Sequence, residues 1–143
     1  MRRHANEDTD MLHTYQGSCH CGAVRFAADI DLQQGTVRCN CSICVKLRCW
    51  SAIVQPAALR LLAGADALSE YRFHSRREQH VFCRHCGVRP FGIGISPRWG
   101  RFYGVSVSCL DDVPAATLAA TPITYVDGRH DRWSTAPDDV AHL

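Results

Sequence analysis

The chain has 143 residues, 46% hydrophobic and 21% charged, which is the composition of one globular domain with room for a real core. A formal charge of +2 is too small to argue for a nucleic-acid or anionic-membrane partner. No stretch approaches the roughly 18 apolar residues of a spanning helix, which argues against a helical membrane protein.

The opening MRRHANEDTDMLHTYQ carries positive charge with no apolar run behind it, so no secretory leader is expected and residues 1–12 read as a flexible polar arm. From Tyr15 onward the pattern is one of short strands separated by turns. AVRFAADI puts Val24, Phe26 and Ala28 on one face, with Arg25 and Ala27 on the other. A turn of helix can follow Cys41, and a strand is expected at Cys49–Val54. RLLAGADALSEYRF reads as two strands, around Leu59–Leu62 and Leu68–Phe73, joined by a turn at Gly64-Ala65-Asp66. Further strands are expected at His80–Phe82, Phe91–Ile95 and Arg101–Ser108. The last alternates Tyr103, Val105, Val107 and Cys109 against Phe102, Gly104, Ser106 and Ser108. PAATLAA predicts a short helix at 114–120 with Pro114 in its first position. The tail after Trp133 is polar and is expected to fray. With no repeat and no linker, the reading is one mostly-β domain over 13–133, followed by a C-terminal tail at 134–143.

Seven of the nine cysteines fall in three tight clusters, CHC at 19–21, CNCSIC at 39–44 and CRHC at 83–86. Core packing does not require such bursts. A cytoplasmic location is the expectation, and there thiols stay reduced and clustered cysteines read as metal ligands. Cys83 and Cys86 have C-x-x-C spacing, which lets the backbone curl both thiolates toward one ion, and Gly87 tolerates the positive φ of such a curl. Cys19 and Cys21, followed by Gly22, are the best second pair for a tetrahedral site. Joining the two pairs closes a loop at a cost of ~4 kcal/mol. A structural zinc ion contributes roughly 10–16 kcal/mol, so the separation is no objection.

Cys39, Cys41 and Cys44 form the remaining cluster, C-x-C-x-x-C. Three thiolates in one short loop cap one face of a metal ion and leave its fourth position for water, substrate or a distant side chain. Structural zinc sites are closed and catalytic ones keep a place open. Cys49, five residues on, is the rival fourth ligand; packing within its strand is the simpler role for it. Cys109 reads as a core residue, and His20 and His85 as solvent-facing residues between ligands. Arg72, Arg76 and Arg77 with Tyr71 and Phe73 make a basic–aromatic stretch able to grip carboxylates, though one polar strand face accounts for it as well. Lys46, Arg48, Arg98 and Arg101 are equally eligible anchors, and Trp50 and Trp99 are candidates for a pocket wall or for plain core packing.

GSCHCGAVRF, CNCSIC and FCRHCGVRPF, followed by VSVSCLDDV and YVDGR, together resemble the glutathione-dependent formaldehyde-activating enzyme family, which includes centromere protein V. The resemblance runs from about Tyr15 to Trp133. It implies a mostly-β fold, a β-tent of small antiparallel sheets stapled by zinc. It also implies two zinc ions: a structural one on Cys19, Cys21, Cys83 and Cys86, and a catalytic one on Cys39, Cys41 and Cys44. Cys49 stands where the family pattern carries a small residue such as glycine. The implied activity is that of a carbon–sulfur lyase joining glutathione, as co-substrate, to formaldehyde. Its partners would be a small-molecule thiol and an aldehyde, with no nucleic acid and no membrane. A thiol made acidic by the metal is a sensible nucleophile near neutral pH, whereas an ion already bearing three thiolates is a poor Lewis acid toward the aldehyde. The competing readings are a non-enzymatic zinc-binding interaction module and a thiol redox or zinc-buffer protein.

Overall fold

The computed structural model describes residues 12–97 and 99–143, so the expected N-terminal arm, apart from Leu12, and Arg98 lie outside the described residues. The described residues form a mostly-β fold of two sheets. β1 (His13–Ser18), β2 (Arg25–Ile30) and β5 (Leu59–Ala63) make a three-stranded sheet in the order β1-β2-β5. The larger sheet contains β3 (Thr36–Cys39), β4 (Ser51–Val54), β6 (Leu68–Tyr71), β7 (Gln79–Cys83), β8 (Phe91–Ser96), β9 (Gly100–Ser106) and β10 (Ile123–Val126). Its order is β10-β3-β4-β9-β8-β7-β6. Neighbours are antiparallel throughout, except that β10 lies parallel to β3 with Val126 beside Cys39. Two short helices interrupt the strands, α1 (Ser42–Leu47) between β3 and β4 and α2 (Ala115–Ala120) ahead of β10. No helix among the described residues is long and apolar enough to cross a membrane.

Alternation places the core. β2 turns Phe26, Ala28 and Ile30 inward, where they meet Ala52 and Val54 of β4 and Val105 of β9, with Val107, Cys109 and Leu110 just beyond. Phe26 is fully buried and meets Phe91 of the larger sheet edge-on, ring centroids 6.2 Å apart. Ala27, expected on the outer face, is also buried. A second, smaller apolar cluster gathers Val24 and Ala67 around Cys19 and Cys83.

Several details differ from the sequence reading. Gly64 does mark a turn, at φ 91°, but the strands it joins do not pair with each other. β5 joins β2 and β6 joins β7, and the turn between them runs so close to the Ala23 backbone that a Cβ at Gly64 would lie 2.2 Å from the Ala23 carbonyl oxygen. β4 begins at Ser51, leaving Cys49 ahead of the strand, and Pro114 caps α2 from outside its first turn. The tail is not frayed. Asp127 donates its N–H to the Thr135 carbonyl at 3.0 Å, Leu143 is buried, and an Arg48 guanidinium nitrogen lies 3.4 Å from the Leu143 carbonyl oxygen, which returns the tail to α1.

Phe26→Ala removes the ring that joins the two sheets and is expected to cost about 3–5 kcal/mol of unfolding free energy in urea titrations. Leu62→Ala, on the exposed β5 edge, is expected to change it by no more than about 0.5 kcal/mol.

Candidate functional site

Two knuckles of the same construction build the first cluster. Beyond β1, the Cys19 N–H bonds the Val24 carbonyl at 3.1 Å and the Gly22 N–H returns to the Cys19 carbonyl at 3.2 Å. At the end of β7, the Cys83 N–H bonds the Val88 carbonyl at 2.9 Å and the Gly87 N–H returns to the Cys83 carbonyl at 2.7 Å. Gly87 holds φ of 79°, the left-handed turn expected there, and Gly22 repeats it at 82°. The four sulfurs all lie within 4.8 Å of one another, with Cys21 3.7 Å from both Cys19 and Cys83. Four thiolates on a tetrahedral ion with metal–sulfur bonds near 2.3 Å stand roughly 3.8 Å apart, so the spacing fits one metal ion. Backbone N–H groups of Val88 and Cys21 pull the Cys86 thiol down to about 6, which prepares it as a ligand.

The second cluster is packed into one loop. Cys39 ends β3, Cys41 caps α1 and Cys44 lies within it, and their sulfurs are again within 4.8 Å of one another. The Cys41 N–H points at the Cys39 sulfur, 3.3 Å away. Hydrogen bonds from Cys39 and Cys44 pull the Cys41 thiol down to about 2, while Cys44 is pushed far up by the same crowding. Three thiols this close cannot all ionise unaided, and a divalent cation removes that conflict. The donor set therefore suits a metal ion with three protein ligands.

Cys49 is half-buried and stands outside this trio, its N–H bonded to the Cys44 carbonyl at 3.1 Å and its sulfur 3.6 Å from a terminal guanidinium nitrogen of Arg89. A hydrogen bond with Cys44, helped by the Arg89 charge, draws the Cys49 thiol down to about 7. Arg89 is a residue the sequence reading missed. Its other terminal nitrogen lies 3.5 Å from His80 Nδ1, and its Nε is buried with no hydrogen-bond partner. Gly92 makes room for it, since a Cβ there would lie 2.1 Å from the guanidinium. Burial and the Arg89 charge lower the His80 pKa, leaving its imidazole neutral at pH 7. The only sequence signal was an arginine set among apolar residues in VRPF.

A cavity of ≈ 410 Å³ adjoins the same loop, walled by the segment after β10 and reached by Asn40 and Val45. Asn40, between Cys39 and Cys41, donates to the buried Asp127 carboxylate at 2.9 Å and accepts the Arg129 N–H at 3.0 Å. Gly128 lies against the loop, and a Cβ there would come 2.5 Å from the Cys39 sulfur.

The remaining candidates lie elsewhere. His20 and His85 are exposed and belong to neither sulfur group. Cys109 is buried and points its thiol at the Arg89 carbonyl, 3.7 Å away. Arg72 pairs with Glu70 at 2.9 Å, Tyr71 stacks on Phe73, and Arg76 and Arg77 are exposed in the loop that follows. Lys46 and Arg48 sit on the exposed side of α1, and Arg101 lies over the Tyr103 ring. Trp50 packs on the core and donates to Thr36 Oγ1 at 2.6 Å, while Trp99 meets Phe102 edge-on at the β8–β9 turn.

Residues 14–127 match the family model described as glutathione-dependent formaldehyde-activating enzyme. The fold is similar to the crystal structure of a Rhodobacter sphaeroides protein, a structural-genomics target, at 33% sequence identity and a TM-score of 0.65. That match covers 76% of this chain and 99% of the other.

Cys86→Ser, which removes one of the four sulfurs that gather between the two sheets, is expected to abolish soluble expression. Cys41→Ser is expected to retain the β-sheet circular dichroism and to lose one metal equivalent by elemental analysis. Gly128→Ala is expected to lower metal content at the second cluster alone, measured by titration with a chromogenic chelator.

Proposed function

The chain belongs to the glutathione-dependent formaldehyde-activating enzyme family, and from that premise we propose that it is a cytoplasmic, zinc-dependent carbon–sulfur lyase-type enzyme that forms or cleaves a thiol–aldehyde adduct such as S-(hydroxymethyl)glutathione. One contrast carries the reading: four sulfurs gather in the first cluster, and three gather in the second. On this reading Cys19, Cys21, Cys83 and Cys86 hold a structural zinc ion, and Cys39, Cys41 and Cys44 hold the catalytic one. Bound there, zinc supplies an acidified position for an incoming thiol. The protein's own groups tune that position. Two positive charges against three thiolates leave a net charge of −1, and the Arg89 guanidinium at the rim offsets it. Such a positive rim also favours an anionic thiol substrate. Cys49 is held toward Arg89 and stands outside the trio.

A second reading, a thiol redox or zinc-buffer protein, is favoured by one observation, the Cys49 thiol drawn down to about 7 by its neighbour Cys44, whose carbonyl accepts the Cys49 N–H at 3.1 Å. Mass spectrometry of peroxide-treated protein distinguishes it, since a Cys44–Cys49 disulfide formed with reversible metal loss would support it.

The enzyme reading predicts two zinc ions per chain and a shift in mean sulfur coordination at the zinc X-ray absorption edge when glutathione is added. It also predicts faster exchange between formaldehyde and its glutathione adduct by NMR, abolished by Cys41→Ser. A single metal per chain, or two whose coordination glutathione does not alter, would refute it.

A further inference from the structure

Adding a thiol to an aldehyde moves a proton from sulfur to oxygen, and the segment after β10 holds a group built for that task. Asp127 is 5% exposed, and its carboxylate accepts from Asn40 Nδ2 at 2.9 Å. His130 Nδ1 lies 3.0 Å from both carboxylate oxygens. The hydrogen bond from Asn40, with help from His130, holds the Asp127 pKa below the ordinary carboxylate value. An ionised carboxylate only accepts, so Nδ1 donates its proton to Asp127, and Nε2 is the ring nitrogen left to face a substrate. Nε2 has no hydrogen-bond partner among the described residues, and the His130 side chain is 62% exposed and lines the ≈ 410 Å³ cavity.

The metal loop fixes this pair in place. Asn40, flanked by two proposed ligands, binds Asp127 through its amide nitrogen and Arg129 through its amide oxygen. Gly128, between Asp127 and Arg129, lies so close to the loop that a Cβ there would come 2.5 Å from the Cys39 sulfur. Arg129, Arg132, Asp138, Asp139 and His142 complete the charged lining, a mixture suited to a ligand with both carboxylate and ammonium groups.

We propose that His130 is the proton-transfer residue of this site and Asp127 its positioning residue, an inference that rests on the thiol–aldehyde reading above. With Nδ1–H held by Asp127, the imidazole takes the thiol proton at Nε2, and the sulfur then bonds to the aldehyde carbon. The carbonyl π pair moves to oxygen, and the imidazolium returns the proton to that oxygen. Thiol and aldehyde become one hydroxymethyl thioether, His130 is regenerated, and no further reactant is consumed. Cleavage runs the same steps backward.

The test compares wild-type, His130→Ala, His130→Gln and Asp127→Asn proteins by NMR exchange with glutathione and formaldehyde, alongside metal content and circular dichroism. His130→Ala and His130→Gln are expected to keep both metals and the fold while kcat falls roughly 100-fold, with KM for the thiol little changed. Added imidazole is expected to restore activity to His130→Ala and to leave wild type unaffected. Independently of activity, 15N NMR of wild type is expected to show His130 protonated at Nδ1, with its Nε2 resonance moving when unreactive S-methylglutathione is added. Asp127→Asn is expected to shift that tautomer. Full activity in His130→Ala, loss of activity together with metal, failure of imidazole rescue, or an Nε2-protonated wild-type tautomer would each overturn the assignment. An active wild type with an equally active His130→Ala defeats this inference alone, whereas an inactive wild type defeats the parent reading with it.

Discussion

Four sulfurs from opposite parts of the molecule meet in one place, and the architecture turns on that meeting. Cys19 and Cys21 leave the small sheet at the end of β1, while Cys83 and Cys86 leave the large sheet at the end of β7. Neither knuckle has an extensive apolar base, since the cluster beneath them holds Val24 and Ala67 with two of the cysteines themselves. The main core joins the sheets through Phe26 and its neighbours, but at this end sulfur chemistry takes over from packing. A metal ion held by these four sulfurs would suit that duty, because such a site is short-range, directional and strong compared with the loop entropy it must overcome.

The second cluster obeys different rules. Its three sulfurs come from a single loop, so it crosslinks no distant elements and has less to contribute to the fold. What surrounds it is polar: Arg89 and His80 from β8 and β7 approaches on one side, Asn40 with the post-β10 segment on the other. A guanidinium whose Nε is buried without a partner is costly in an apolar interior. The two terminal nitrogens offset part of that cost, one lying 3.6 Å from the Cys49 sulfur and the other 3.5 Å from His80 Nδ1.

Metal-ligand spacing is a local property, which is why all three cysteine clusters and the glycines after Cys21 and Cys86 were legible in the sequence. Strands with strong alternation, such as β2 and β9, were legible for the same reason. β1, β3 and β10 were not. HTYQGS, TVRC and ITYV are too short or too polar to announce themselves, and they are extended because long-range partners hold them. Gly64 signalled a turn correctly, yet nothing local could say that the strands it links belong to different sheets. Arg89, Asp127 and His130 escaped notice because each acquires its meaning from a residue 40 or more positions away in sequence or, for His130, from an aspartate that is itself anchored 87 positions off. The tail misled for a related reason, since its few apolar residues find a surface that exists only after the rest has folded.

The parallel pairing of β10 with β3 joins an early part of the chain to a late one. Strands that run the same way release their chains at the same rim, so the loop after Cys39 and the loop after Val126 emerge as neighbours even though more than eighty residues separate them. A ribosome delivers the cysteine loop early and its polar wall late. The nascent protein thus passes through a stage in which the sulfur loop has been made while its facing wall is still unsynthesised, and the mature environment comes into being only as the last strand docks.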